Sequence, residues 1–178
     1  DAVSAVNQRA EAEGITFVKS QQMNLDDCLG HLADSHFDLI VSSYAIYYAQ
    51  DAVALLKGLR SLLKDQGVVF ACGPGRGTNK EMQNIVNRFV QSAIKPIDDF
   101  LGPNDIQDIA ATFSQFKVSR LENQIVFDSA DAVLSWWQNH NSFDHSVAAQ
   151  VEEFVRAYFL DGNTFKLTKN VLGVRFDV

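Results

Sequence analysis

Apolar residues recur along the chain in two patterns, one typical of strands and one typical of helices. Short apolar runs at residues 15–18, 37–41 and 68–72 predict strands, and the last two runs suit strands buried on both faces. Between those two, leucines and a valine at three- and four-residue spacing predict a helix that begins after Asp51. Strands that alternate with helices indicate an α/β fold with a mainly parallel sheet.

The flanking segments add more helices and two C-terminal strands. Residues 1–13 predict a helix that ends at Gly14, and residues 64–67 resemble a turn that closes at Gly67. The remaining predicted elements are helices over 78–93 and 104–112, a strand over 116–127, a helix capped by Ser129, a helix over 146–159 and a strand or hairpin over 164–178. Because no repeat or linker interrupts this order, residues 1–178 are expected to form one domain.

Composition and charge exclude several classes of function. Hydrophobic residues make up 47% of the chain and charged residues 21%, which is typical of a globular domain. The 22 acidic residues outnumber the 15 basic ones, and a formal charge of −7 argues against a nucleic-acid partner. No apolar run is long enough for a membrane span. The two cysteines, Cys28 and Cys72, lie far apart without metal-ligand spacing, so we expect a cytoplasmic protein without a metal site.

Three segments in succession carry a family resemblance. Residues 15–25 read ITFVKSQQMNL, residues 37–44 read FDLIVSSY, and residues 62–74 read LLKDQGVVFACGP. This succession resembles the second half of class I S-adenosylmethionine-dependent methyltransferases. The resemblance implies a Rossmann-like sheet, mainly parallel, with an antiparallel C-terminal strand pair.

One expected feature of that family is not visible in the sequence. The glycine-rich loop after the family's first strand is missing, and residues 1–13 resemble the helix that follows its second strand. Because the first strand lies in the middle of that sheet, leaving it out would leave backbone groups unpaired. We therefore expect that upstream residues exist, or that another chain supplies the missing strands.

The resemblance implies S-adenosylmethionine as the cofactor and suggests the residues that hold it. Gln21 stands where the family often has an aspartate facing the adenine amino group, and an amide oxygen can accept the same hydrogen bond. The Gln22 backbone N–H would then face the ring, with Met23 or Leu25 packing on it. The methionine part of the cofactor would lie near Ser42, Ser43 and Tyr44. The alternative is that residues 21–23 form only a solvated turn.

The acceptor is expected beside this cofactor. Tyr47 could form an aromatic wall, Arg76 could pair with an acceptor carboxylate, and helices before the last strand could contribute Trp136 and His140. The alternatives are that these groups only pack nearby helices, and that residues 73–79 are a flexible connection at the mouth of the site.

The resulting hypothesis is methyl transfer to a small molecule by direct in-line displacement, with no catalytic base identified. A homodimer is compatible with the sequence. The rival hypothesis is a non-catalytic binding or interaction module of the same fold. A weaker third hypothesis is nucleotide binding through the glycines of residues 73–79.

Overall fold

A mixed sheet forms the centre of the computed structural model, which describes residues 2–34 and 36–178. Its strands are β1 (Phe37–Ser43), β2 (Leu63–Pro74), β3 (Gln115–Phe127) and β4 (Phe165–Asp177), in the order β1-β2-β4-β3. The β1–β2 pair is parallel, and β4 pairs antiparallel with both β2 and β3. The predicted α/β fold with an antiparallel C-terminal strand pair is confirmed.

Helices connect these strands and cover the sheet. They are α1 (Ala2–Ala12), α2 (Cys28–His31), α3 (Ala52–Gly58), α4 (Lys80–Val86), α5 (Pro103–Ala110), α6 (Ala130–Gln138) and α7 (Ala148–Leu160). Short 3₁₀ turns occur at Leu25–Asp27, Ile46–Tyr48, Leu59–Leu62 and His145–Val147. Asp51 and Ser129 cap α3 and α6 as predicted, since their side chains accept the N–H groups of Ala54 and Ala132.

The predicted strand at residues 15–18 is wrong. This segment has no regular structure, and no strand among the described residues lies beside it. A β-rich sequence forms a strand only where a neighbour can take its hydrogen bonds. In β1, Leu39 and Val41 are 56% and 57% exposed, so the expectation that β1 is buried on both faces is also wrong.

Three predicted boundaries change for local reasons. The helix expected over 78–93 is shorter because the Asn87 side chain bonds both backbone groups of Ile94 and turns the chain. Gly102, rather than Asn104, precedes α5, and its N–H donates to the Asp105 carboxylate.

The turn expected at 64–67 lies within the first part of β2, where Gln66 has a φ of 67°. The helix predicted to begin at residue 1 is described from Ala2, and Asp1 lies outside the described residues.

Two hydrophobic clusters pack against opposite faces of the sheet. The first contains Val174 and Phe176 of β4, and the second contains Phe165 and Leu167. Successive side chains of a strand point to opposite faces. Even-numbered β4 residues therefore contribute to the first cluster, and odd-numbered ones contribute to the second. α3 and α5 contribute to the first cluster, and α4, α6 and α7 contribute to the second. The second face therefore brings α4, the end of α6 and the odd residues of β4 together.

Candidate active site

The carboxyl end of β1 turns sharply and gathers aromatic side chains. Tyr44 follows the strand in the left-handed region (φ 52°), and its N–H donates to the carbonyl oxygen of Cys72 at 2.8 Å. The 3₁₀ turn Ile46–Tyr48 follows immediately. Tyr44, Tyr47 and Tyr48 therefore lie beyond the ends of β1 and β2, at the edge where open α/β sheets bind ligands.

The loop between β2 and α4, residues 75–79, is held by hydrogen bonds from every backbone N–H. The donor–acceptor distances are between 2.8 and 3.1 Å, and the accepting oxygens belong to Asn170, Asp99, Ile97, Gly75 and Thr168. This loop is a fixed connection, which corrects the expectation that it is flexible. No backbone N–H of the loop is left to cradle a phosphate, so the geometry disfavours the nucleotide-binding hypothesis.

Contacts between this loop and β4 bring two polar residues together. The N–H of Asn79 donates to Thr168, and Thr168 donates its own N–H and hydroxyl to the Glu81 carboxylate at 2.9 and 2.6 Å. Burial raises the pKa of Glu81, but these two hydrogen bonds outweigh it, so the pKa lies below its ordinary value. As a result, Asn79 lies close to the half-buried Lys169, and both residues line one cavity at this end of the sheet. The Asn79 residue is 4% exposed.

The end of α6 presents His140 to this cavity. Its ring stacks on Trp136 with the ring centroids 4.8 Å apart, one helical turn away. The Nδ1 atom accepts the backbone N–H of Ser142 at 3.2 Å and lies 2.7 Å from the Ser142 hydroxyl oxygen. The Nε2 atom lies 3.1 Å from the Asn79 side-chain amide. Burial, and secondly the charge of Lys169, lowers the pKa of His140, so the ring is neutral at pH 7.

These elements line an open cavity of about 340 Å³. Its walls include Tyr44, Tyr47, Asn79, His140 and Lys169. Burial, and secondly hydrogen bonding with the Tyr48 side chain, raises the pKa of Tyr47 to about 12, and burial also raises the pKa of Tyr44. Their hydroxyls therefore stay protonated at neutral pH and can donate hydrogen bonds.

The structure brings most of the predicted acceptor residues together. Tyr47 and His140 line the cavity, and Trp136 packs directly against the imidazole. Arg76 is not brought to it. The Arg76 side chain donates to Asp98 at 2.8 Å and faces a different cavity, beside Arg120. An acceptor in the first cavity would therefore not contact Arg76.

The predicted cofactor residues lie in two places. Ser42, Ser43 and Tyr44 lie at the end of β1, and the buried Ser42 hydroxyl has no hydrogen-bond partner among the described residues. Gln21 and Gln22 are exposed in an irregular segment, and Met23 packs against the first hydrophobic cluster. None of these last three residues lines the cavity beside His140. Their role in adenine binding stays a prediction.

Sequence reasoning missed Asn79 and Lys169. A signal for Lys169 exists, because it interrupts an apolar alternation with Phe165, Leu167 and Val171 on one face of β4. A charged residue among apolar residues on a buried strand face is expected either to bind a ligand or to pair with a nearby group. Asn79 gives no comparable signal, since its burial depends on contacts with β4.

The described part of the chain holds no group of three or more histidine, cysteine, aspartate or glutamate residues arranged for a metal ion. Within residues 2–34 and 36–178, no helix has the length and apolar character needed to cross a membrane.

Comparisons with known proteins are consistent with this architecture. Residues 1–71 match the family model described as a methyltransferase domain. The YcgJ protein from Bacillus subtilis has a TM-score of 0.55 and 16% sequence identity, over 98% of this chain and 77% of that chain. A candidate methyltransferase from Bacillus halodurans has a TM-score of 0.60 and 10% identity, over 98% and 78% of the two chains. No curated protein matches the chain at a significant level. Together, the match over residues 1–71 and the shared fold confirm that the chain resembles class I S-adenosylmethionine-dependent methyltransferases, with the Rossmann-like fold of that family.

Proposed function

We propose that the protein transfers a methyl group from S-adenosylmethionine to a small-molecule acceptor bound in the cavity beside His140. The position of that cavity carries the proposal. It lies at the carboxyl ends of β1 and β2, and Tyr44, the residue after β1, forms part of its wall. The methyltransferase-domain match over residues 1–71 supports the class of reaction.

Two features at the end of β1 fit the cofactor. The buried Ser42 hydroxyl has no partner among the described residues, so it can still form a hydrogen bond. The Tyr44 ring is 45% exposed, and an aromatic face attracts a sulfonium cation. Ser42, Ser43 and Tyr44 would hold the methionine part, and Gln21, Gln22 and Met23 would hold the adenine. When bound, S-adenosylmethionine supplies a methyl group on an already activated sulfonium.

The size and lining of the cavity favour a small acceptor. Its volume of about 340 Å³ lies at the lower end of the range of small-molecule pockets, roughly 300–1,000 Å³. The tyrosine hydroxyls and the Asn79 amide can orient polar groups of an acceptor. A chain with a formal charge of −7 also lacks the positive surface that nucleic-acid binding needs.

The protein's own residues contribute mainly by orientation. Holding an acceptor atom in line with the activated methyl group supplies most of the rate enhancement in such a displacement. The Ser142 N–H occupies the Nδ1 lone pair of His140, so the neutral ring carries its proton on Nε2. In this arrangement His140 donates a hydrogen bond and does not accept a proton, and we assign no catalytic base.

The proposal is tested by measuring S-adenosylmethionine binding by calorimetry and the transfer of its labelled methyl group into a small-molecule extract. We expect saturable binding and a labelled small-molecule product. Tyr44→Ala should lower kcat/KM by about tenfold or more, because one lost contact of 1.4 kcal/mol has that effect. Tyr158→Ala is the matched control, since Tyr158 lies in a different cavity, and its kinetics should be unchanged.

The same experiment separates the rival hypothesis. Binding of S-adenosylmethionine without transfer would favour a non-catalytic binding module of this fold. If the protein does not retain S-adenosylmethionine at all, the proposal is wrong. Equal kinetics for Tyr44→Ala and the unchanged protein would remove Tyr44 from the site.

A further inference from the structure

The cavity beside His140 has a charge opposite to that of the whole chain. The sequence has 22 acidic residues, yet no aspartate or glutamate lines this cavity. Its walls instead include the ammonium group of Lys169, and the neighbouring imidazole of His140 is neutral. In a strongly acidic chain, such a local excess of positive charge indicates the sign of the group that binds there.

Lys169 has no ion-pair partner among the described residues. Its Nζ atom lies over the Trp136 ring, 4.9 Å from the centroid, and this contact holds the ammonium beside the cavity. Burial lowers the pKa of Lys169, because no carboxylate compensates for the water that the ammonium has lost. An anion in the cavity would supply that missing partner.

Asn79 supplies a second unsatisfied group. Its Nδ2 atom lies 3.1 Å from Nε2 of His140, and its buried Oδ1 atom has no partner among the described residues. Because Ser142 donates an N–H to Nδ1, the Nε2 atom carries the proton of the neutral ring and needs an acceptor. Rotating the Asn79 amide by half a turn places its oxygen beside Nε2 as that acceptor. The two orientations of an amide occupy the same space, because its oxygen and nitrogen are nearly equal in size. The Asn79 amide NH₂ is then the buried donor without a partner.

We infer that the acceptor carries a carboxylate, which binds between the Lys169 ammonium and the Asn79 side-chain amide. This inference rests on the proposed function, because it names the chemistry of that acceptor. One ammonium and neutral donors match a single negative charge. A phosphate dianion usually needs several cations or free backbone N–H groups, and the nearby loop 75–79 has none of the latter.

The test uses pairs of probes that differ only in charge. Acetate, benzoate and phenylacetate are titrated against acetamide, benzamide and phenylacetamide, without S-adenosylmethionine, by ligand-observed NMR. We expect at least one carboxylate to bind about tenfold more tightly than its amide, as one charge-assisted hydrogen bond predicts. Lys169→Met should abolish that preference, and Lys169→Arg should retain most of it. Lys166→Met, an exposed position on the same strand, is the matched control and should not change it.

Each outcome decides the inference. If no carboxylate binds more tightly than its amide, or if folded Lys169→Met keeps the preference, the inference is wrong. Phenyl phosphate binding tenfold more tightly than benzoate would overturn the choice of a carboxylate. S-adenosylmethionine binding is measured separately on the unchanged protein. If the cofactor binds and the carboxylates show no preference, only this inference fails. If the carboxylates bind through Lys169 and the cofactor does not bind, the proposed methyl transfer fails and the anion site stands.

Discussion

Asp99 fixes the irregular segment between α4 and α5 to the sheet, and its replacement gives a sharp test of the structure. Its carboxylate accepts two hydrogen bonds from the Arg120 guanidinium, both 2.7 Å long, and one from the Arg76 backbone N–H at 2.8 Å. The Asp99 side chain is 8% exposed and that of Arg120 is 59% exposed. The segment also contributes Ile97 to the wall of the candidate active site. Asp99→Asn keeps the size of the side chain and removes its charge.

The expected loss of stability lies between two limits. Exposed ion pairs contribute at most about 1 kcal/mol, and breaking a fully buried pair costs about 3–5 kcal/mol. Asp99 is buried, but Arg120 can regain water when its partner is neutral. We therefore expect Asp99→Asn to lower the free energy of unfolding by about 2 kcal/mol. A double-mutant cycle with Arg120→Met should give a coupling energy of about 1–2 kcal/mol.

Urea unfolding at pH 7 measures these energies, and Asp98→Asn is the adjacent control. Asp98 pairs with Arg76, but both side chains are more than 70% exposed (76% and 73%), so this change should cost less than about 0.5 kcal/mol. Hydrogen bonds from Arg120 hold the pKa of Asp99 below its ordinary value of 3.8. Its stabilisation is therefore present above pH 3.8 and is lost as the pH falls through the lower, folded-state pKa. A coupling energy below about 0.5 kcal/mol would refute this account of the segment.

Two further predictions concern the walls of the cavity. In Gly73→Ala the new methyl group would lie 2.9 Å from the Phe100 ring and 3.1 Å from the Tyr47 ring, so we expect a loss of about 1–3 kcal/mol in urea unfolding. Gly30→Ala, which meets nothing within 4 Å, should not destabilise the protein. Burial, and secondly the charge of Lys169, lowers the pKa of His140 below 6.5. As the pH falls, the imidazole therefore becomes protonated in the unfolded chain at a higher pH than in the folded protein. Thermal unfolding should therefore lose stability as the pH falls below 6.5, and His140→Gln should reduce this loss; an equal loss in both proteins would contradict the assignment.

The sequence predicts elements well where local interactions decide them. Asp51 and Ser129 each cap a helix within three residues of themselves, and these contacts need no other part of the chain. The apolar runs that become β1 and β2 pair with each other in parallel, as the alternation of strand and helix indicates. Residues 15–18 fail for the opposite reason, since a strand depends on a neighbour that a local pattern does not reveal.

The candidate site shows the same limit. Tyr44, Tyr47 and His140 are predictable because they follow or precede recognisable elements at the ligand-binding edge of the sheet. Asn79 and Lys169 come together because Thr168 bonds both the Asn79 N–H and the Glu81 carboxylate, and Thr168 and Glu81 are 87 positions apart in the chain. The loop 75–79 has the glycines of a phosphate loop, but acceptors occupy all of its N–H groups, and all of these acceptors except Gly75 lie elsewhere in the chain. Its composition alone suggests a function that its hydrogen bonds oppose.

Charge has to be considered at two scales in this protein. The net charge of −7 describes the average surface, and it disfavours partners that need a broad positive face. Charges separated by more than roughly 8 Å of physiological solution are largely screened, whereas groups in a cavity are screened much less. The Lys169 ammonium therefore dominates the potential that a small ligand meets inside the cavity, although the chain as a whole is acidic. For this reason the net charge argues only about macromolecular partners, and the proposed carboxylate site depends on the position of one half-buried lysine.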